Sequence, residues 1–255
     1  MKNFTDLTGK KAIVTGGAQG LSRGMAEGLM EAGAQVCIID VNPKVENTVL
    51  EMKEKGFSCC SVIADLGKKE SLEQGFEEAL KLLDGHLDIL VNGAGVQRRH
   101  YSEVFPYEDW EFILNINLNA VFMLCQMAGR QFLAQKSRGK IINIASMLSF
   151  FGGYTVPAYA ASKGGVMQLT KALCNEWAGK GINVNALAPG YMDTEMNTAL
   201  TDPSNPRFKE ITDRIPAGVW GTPEDMKGPC VFLASSASDY LNGAVIPVDG
   251  GYLVK

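Results

Sequence analysis

Lys11-Ala-Ile-Val-Thr15-Gly16-Gly17-Ala18-Gln19-Gly20-Leu21-Ser22 is the stretch that decides the fold. Its first five residues make a short apolar run bounded by Gly9 and Gly16-Gly17, the pattern of a strand entering a tight turn. A helix is predicted to follow over about residues 22–32 and to stop at Gly33. The next run, Gln35-Val-Cys-Ile-Ile-Asp40, reads as a second strand that ends on a carboxylate. Strand, glycine turn, helix, strand and acid in this order spell half of a dinucleotide-binding unit. Gly16 can take a dihedral closed to other residues, and Gly20 lets the backbone approach a pyrophosphate. The N–H groups of the turn, Gln19 and Leu21 included, and the helix start would hold that anion. Asp40 is placed to bind both hydroxyls of an adenosine ribose. A 2′-phosphate there would meet like charge, and neither Gln19 nor Val41 supplies a compensating cation, so NAD is the predicted cofactor.

The alternation continues outward. A charged helix is predicted over residues 43–55, a strand over 57–64 with Asp65-Leu66 at its exit, an amphipathic helix over 69–83 and a strand over 87–92. That fourth strand runs from Asn92 into Gly93-Ala94-Gly95, a crossing whose lack of bulk lets a cofactor ring lie against backbone. The segment 105–135 reads as one long helix with Asn117 midway, and its asparagines need partners because an unpaired buried amide costs about 1–3 kcal/mol. A sixth strand over 181–188 turns at Pro189-Gly190, a helix spans 224–234, and a last strand over 243–248 is confined to an edge by Pro247. Residues 191–221 break the alternation, being rich in Met, Pro, Asn and charge, and are predicted to be a lid over the substrate. No linker or repeat divides residues 1–255, so one α/β domain is expected.

The chemistry is predicted to lie between Ser146 and Lys163. Pro157 opens a helix on which Tyr159 and Lys163 stand four positions apart, hence on one face. An ammonium near a phenol favours the phenolate and makes Tyr159 a usable general acid or base. Ser146 ends the apolar run 140–145 and would stand at the carboxyl edge of the sheet, where its hydroxyl can reach the same substrate oxygen. A Tyr and a Lys at this spacing are common on amphipathic helices, so the pair takes its weight from its surroundings. The small residues of this helix, Gly165 among them, predict a close approach to cofactor and to a helix of a second subunit.

Composition excludes other classes. With 46 % hydrophobic and 20 % charged residues and a net charge of −4, the chain has the profile of a soluble globular protein without a nucleic-acid partner. No apolar run is expected to reach the roughly 18 residues of a membrane span, the amino end carries no apolar signal core, and the cytoplasm is the expected compartment. The six cysteines lack a Cys-x-x-Cys spacing and read as reduced residues. Two histidines argue against a His-rich metal site or a Ser-His-Asp triad, so no metal is expected.

Taken in order, Thr15-Gly16-x-x-x-Gly20, Asp65-Leu66, Asn92-x-Ala94-Gly95, Asn117, Ser146, Tyr159-x-x-x-Lys163 and Pro189-Gly190-x-x-x-Thr194 resemble the motifs of the short-chain dehydrogenase/reductases. The resemblance implies a doubly wound Rossmann sandwich with seven parallel strands, NAD(H) along its carboxyl edge and a homotetramer. It implies that Tyr159 exchanges the proton, Lys163 lowers its pKa and holds the nicotinamide ribose, Ser146 orients the substrate oxygen, and Asn117 supports a water-linked proton path. Gly16, Gln19, Gly20, Leu21, Asp40, Asp65, Leu66, Asn92, Ala94, Gly95, Pro189, Gly190, Met192 and Thr194 would join Tyr159 and Lys163 around the cofactor. Gly139 to Phe150, Ala188 to Met192, Arg214 to Gly218 and Leu233 to Tyr240 resemble the sugar-acid branch, which acts on 2-dehydro-3-deoxy-D-gluconate or gluconate. Its carboxylate could pair with Arg98 or Arg99. Another polyol, a 3-ketoacyl substrate, or nicotinamide binding without turnover are the alternatives. Two positions depart from the pattern: Ser22 replaces the third glycine, which is expected to loosen helix-to-strand contact, and Gly93 replaces an asparagine that ties neighbouring strands.

Overall fold

Seven apolar runs become strands β1 (Lys11–Thr15), β2 (Gln35–Asp40), β3 (Cys59–Ile63), β4 (Ile89–Asn92), β5 (Gly139–Ile144), β6 (Ile182–Pro189) and β7 (Val245–Val248). They pair in parallel as one sheet in the order β3-β2-β1-β4-β5-β6-β7. The computed structural model describes residues 3–202 and 204–255, with the backbone alone at Met196 and Ala199. Met1, Lys2 and Pro203, the last inside the expected lid, lie outside the described residues.

The helices are α1 (Gly20–Glu31), α2 (Lys44–Glu54), α3 (Lys69–Leu82), α4 (Tyr107–Leu114), α5 (Ala120–Gln135), α6 (Pro157–Trp177), α7 (Thr198–Thr201), α8 (Pro206–Arg214) and α9 (Lys227–Ala234). Because strand side chains alternate in direction, each face of the sheet has its own core. Ile13, Cys37, Ile39, Leu90 and Ile141 pack with Phe76, Leu124, Phe132 and Val166 of α3, α5 and α6. Val14, Val36, Ile38, Val91 and Ile142 pack with Met25, Leu29, Met52 and Leu233 of α1, α2 and α9. The result is the doubly wound, three-layer α/β sandwich. Strand order reverses between β1 and β4, so the chain leaves these neighbours in opposite directions and opens a crevice at their carboxyl ends.

Two expectations need correction. The helix predicted over 105–135 is divided by a π-helical segment, Asn115–Asn119, between α4 and α5. The wider turn carries Asn117 inward, fully buried, at the point where its amide meets the loop after β4. The same stretch, Tyr107–Gln135, is long and apolar enough by length and composition to cross a membrane, contrary to the sequence reading. Its inner face belongs to the core beside β4 and β5, with Val121, Leu124, Cys125, Ala128 and Phe132 buried. Gly165 also serves a contact within the chain. A Cβ there would stand 2.9 Å from Leu118 of the same chain, so the glycine lets α6 close on the π-helical segment.

Smaller differences concern the ends of elements. The predicted helix over 224–234 starts as a 3₁₀ turn, Pro223–Met226, capped by Thr222 and Asp225, before α9 begins at Lys227. β7 is the edge strand, with Pro247 opposite Ala188. All six cysteines are free.

Candidate active site

A groove of about 400 Å³ runs along the carboxyl ends of β1, β2, β4, β5 and β6. The glycine turn forms its floor at one end: Gly16 has φ +74°, and a Cβ on it would meet Ala94 Cα at 2.7 Å. Only glycine permits the β1 turn and the β4 crossing to touch in this way. Gly20, at φ +61°, begins α1 and lines the groove together with Gln19 and Leu21. At the end of β2 the Asp40 carboxylate is fixed by two backbone N–H donors, Ala18 at 2.9 Å and Asn42 at 2.9 Å. Asp65, Leu66, Ala94, Gly95, Pro189, Gly190, Met192 and Thr194 line the remaining walls.

At the other end stand Ser146, Tyr159 and Lys163. Ser146 leaves β5 in an extended conformation and caps a 3₁₀ turn, its Oγ accepting from Leu148 N at 3.1 Å. Ser149 ties this turn to α6, accepting from Ser146 N at 3.3 Å and donating to Lys163 O at 2.7 Å. Pro157 opens α6 and sets Tyr159 and Lys163 one turn apart, the Lys163 Nζ lying 5.7 Å from the phenol ring centre. The two groups share the groove, but the sequence expectation for their electrostatics needs correction. Burial pushes the Tyr159 phenol above its ordinary value, and the effects opposing this are the Ser146 hydroxyl and then the Arg99 guanidinium. Lys163 is turned onto the Ile144 carbonyl, donating at 2.6 Å, and burial pushes it down to about 8.

Several predicted residues lie outside the groove. Asn92 is buried behind it, donating from Nδ2 to Asn143 Oδ1 at 2.9 Å, while its Oδ1 has no partner among the described residues. It supports β4 and β5 rather than lining the cofactor groove, because its side chain points into the α5 and α6 layer. Asn117 clamps the loop after β4: its Oδ1 accepts from Val96 N at 2.8 Å and its Nδ2 donates to Val96 O at 2.9 Å. Of the two arginines, Arg98 is drawn toward α4, 3.8 Å from Asp109 and 5.0 Å over Phe112. Arg99 is close enough to Tyr159 and Tyr191 for mutual charge effects, and burial lowers it from its ordinary value. Among the described residues that line the groove, neither arginine is found.

A family profile described as "Enoyl-(Acyl carrier protein) reductase" matches residues 16–253. The 2-dehydro-3-deoxy-D-gluconate 5-dehydrogenase of Escherichia coli (strain K12) is 49 % identical over 249 residues, 98 % of this chain and 97 % of that protein. The chain belongs to the short-chain dehydrogenase/reductases. The chain is also 40 % identical over 256 residues to the 5-keto-D-gluconate 5-reductase of the same organism, spanning 100 % of this chain and 99 % of the other. A crystal structure of gluconate 5-dehydrogenase from Burkholderia cenocepacia, in complex with NADP and tartrate, superposes with a TM-score of 0.93 at 38 % identity, over 99 % of this chain and 98 % of that one.

The two departures of this dehydrogenase from its family pattern meet in space. A Cβ at Gly93 would lie 2.2 Å from Ser22 Oγ, so the serine fills the place that a side chain at 93 would need. The tie between strands is made instead by the Thr15 hydroxyl, which accepts from Gly93 N at 3.1 Å and Ala94 N at 3.2 Å. Nor is α1 loosened. Cβ atoms at Gly24 and Gly28 would meet Pro223 O at 2.5 Å and Lys227 Cβ at 2.8 Å, so the helix packs backbone-close on the start of α9. Sequence reading missed Glu195, which lines the groove with its Oε2 3.7 Å from the place of a Cβ on Gly20. Nothing in the loop composition distinguished it from a solvated acid.

Proposed function

We propose that this short-chain dehydrogenase interconverts a hydroxyl and a ketone on a sugar acid, with NAD(H) as the partner in hydride transfer. The observation that carries the reading is the convergence, at one end of the groove, of the Tyr159 phenol, the Ser146 hydroxyl and the Lys163 ammonium. The fit to a dinucleotide rests on the cradle: Gly16 and Gly20 leave room where a Cβ would stand, and Gly95 keeps clear the space beside Lys163 Nζ, 3.7 Å from its own absent Cβ. When bound, the nicotinamide supplies the hydride chemistry. Tyr159 takes the hydroxyl proton in oxidation and returns it in reduction, Ser146 hydrogen-bonds the same oxygen, and Lys163 gives up the Ile144 carbonyl to hold the ribose. Arg99 attracts the carboxylate. Asn117 holds the loop after β4, and its second role in the proposal is to support a water-linked proton path.

Support for NAD comes from charge. Lys163 is the only Lys or Arg among the described residues lining the groove, whereas Asp40, Asp65 and Glu195 bring carboxylates. A 2′-phosphate a few ångströms from Asp40 meets repulsion of about 1–4 kcal/mol, depending on the local dielectric, which is about fivefold to nearly a thousandfold in affinity. The Burkholderia protein holds NADP; in this chain Asp40 is the group expected to decide. Replacing it by Asn keeps an acceptor for Ala18 or Asn42 but removes the charge, and should narrow the ratio of Kd values for NADP⁺ and NAD⁺ by about tenfold. An unchanged ratio contradicts the assignment. The activity itself is tested by absorbance at the reduced-nicotinamide band across sugar acids, neutral polyols and 3-ketoacyl esters. Turnover confined to the ketoacyl esters would overturn the reading. The proposal includes a homotetramer, supported by the exposed Tyr107, Phe112, Phe122 and Leu133 along α4 and α5.

A further inference from the structure

Residues 249–255 belong to none of the motifs read from the sequence, yet they lie against the expected lid. Beyond β7 the Asp249 carboxylate accepts from Gly251 N and Leu253 N, each at 2.9 Å, and winds the chain into a 3₁₀ turn, Tyr252–Val254. Tyr252 on this turn is only 5 % exposed. The stretch runs close to the end of α8: Ala217 N donates to Gly250 O at 3.0 Å, and a Cβ on Gly250, at φ +61°, would lie 2.8 Å from Ile215 Cγ2. Lys255 Nζ donates to Asp213 O at 2.6 Å.

Around the Tyr252 ring meet the elements that surround the reacting end of the groove. Phe151, in the loop between Ser146 and α6, stacks on it with ring centres 6.0 Å apart. Tyr191, between the groove-lining Gly190 and Met192, meets it edge-on at 5.3 Å. The Arg214 guanidinium at the end of α8 lies 4.7 Å from its ring centre. Tyr252 packs in a small core of its own, apart from those on the two faces of the sheet, with Ile211 and Ile215 of the expected lid and Met147, the residue after Ser146. An aromatic ring dominates the energetics of so small a core, and segments held by few buried contacts open locally when such a ring is lost. Tyr252 is not among the residues lining the groove, so its effect on chemistry has to pass through its neighbours. We propose that Tyr252 is a positioning residue for the reaction: it locks α8 to the turn that carries Ser146, so that the lid and the serine hydroxyl meet the sugar acid in one fixed geometry. This rests on the sugar-acid reading above, and deepens it by assigning the shape of the substrate end to a ring outside the groove. Gly16, Gly20 and Asp40 lie at the opposite end, so their hold on the dinucleotide should not depend on Tyr252.

The test is Tyr252→Leu, which keeps apolar bulk but loses the flat ring, with Tyr252→Phe beside it. A displacement of about 1 Å at a reacting group can cost on the order of 100-fold in rate. In Tyr252→Leu, kcat/KM for gluconate should therefore fall at least about tenfold while the Kd for NAD⁺ changes less than about twofold, and Tyr252→Phe should restore most of the loss. An unchanged kcat/KM, a loss shared equally by NAD⁺ binding, or an equal loss in Tyr252→Phe overturns the proposal. Hydrogen exchange tests the coupling without turnover and without a variant that must fold. In the wild-type protein, amides of residues 147–150, 207–214 and 252–254 should lose protection together as denaturant rises, before those of β1, β4 and β5. Should the protein turn over no sugar acid, the functional reading fails, and this exchange decides the coupling alone. Opening of α8 at a denaturant concentration different from that of residues 252–254 and 147–150 overturns it.

Discussion

Replacing Tyr159 by Phe is expected to lower kcat by about 10²–10⁴-fold, the range over which a positioned acid or base acts, while NAD(H) binding persists. The ring stays packed at the start of α6 and only the phenol oxygen is lost, so the groove keeps its shape. The pH profile gives the mechanistic half of the result. In the free protein, burial holds the phenol protonated beyond its ordinary range, against the lesser pull of Ser146 and Arg99. Oxidation of an alcohol needs the deprotonated phenol, so kcat/KM in that direction should climb as pH rises; reduction of a ketone needs the proton and should decline. Both limbs should vanish in Tyr159→Phe. A variant retaining wild-type turnover, or a pH profile that survives the substitution, would place the proton-exchanging group elsewhere.

The second large effect is on stability and concerns two residues far apart in sequence. Gly93→Asn should destabilise the protein by about 1–3 kcal/mol, since its Cβ enters the space held by Ser22 Oγ and the overpacked crossing must shift. For a chain of this size that corresponds to a fall in Tm of about 2–4 °C per kcal/mol. Ser22→Gly should lose less on its own, and the double variant should recover most of what Gly93→Asn loses, because removing the hydroxymethyl opens the site for the amide. A double-mutant cycle by denaturant unfolding measures this coupling directly. Additive losses would show that the two departures from the family pattern arose in separate environments.

Much of the fold was legible because the strands are buried on both faces and read as apolar runs. Glycines mark the turns at the two crossings that touch, Gly16 against Ala94. The ordered motifs likewise placed Ser146, Tyr159, Lys163 and Asp40 in one groove. What was not legible depends on geometry that spacing cannot carry. The π-helical turn at Asn117 hides inside an apolar pattern that continues on both sides, so periodicity alone predicts an unbroken helix. The direction of Lys163 was unreadable because its partner in this structure is a backbone carbonyl, that of Ile144, which has no side-chain signature. Asn92 matched a cofactor motif while facing the helical layer, since the residues around it in β4 are buried on both sides. Gly93 and Ser22 looked like two independent losses until the contact between them was seen.

The central claim is that a hydride passes between the nicotinamide and a carbon of a sugar acid while Tyr159 handles the proton. Gluconate deuterated at every carbon-bound position, incubated with NAD⁺ and this protein in ordinary water, tests it most directly by mass spectrometry of the cofactor. The account predicts that each NADH formed carries one deuterium from the substrate. NADH without deuterium, or no reduction of NAD⁺ by gluconate or by its 2-dehydro-3-deoxy analogue, contradicts it.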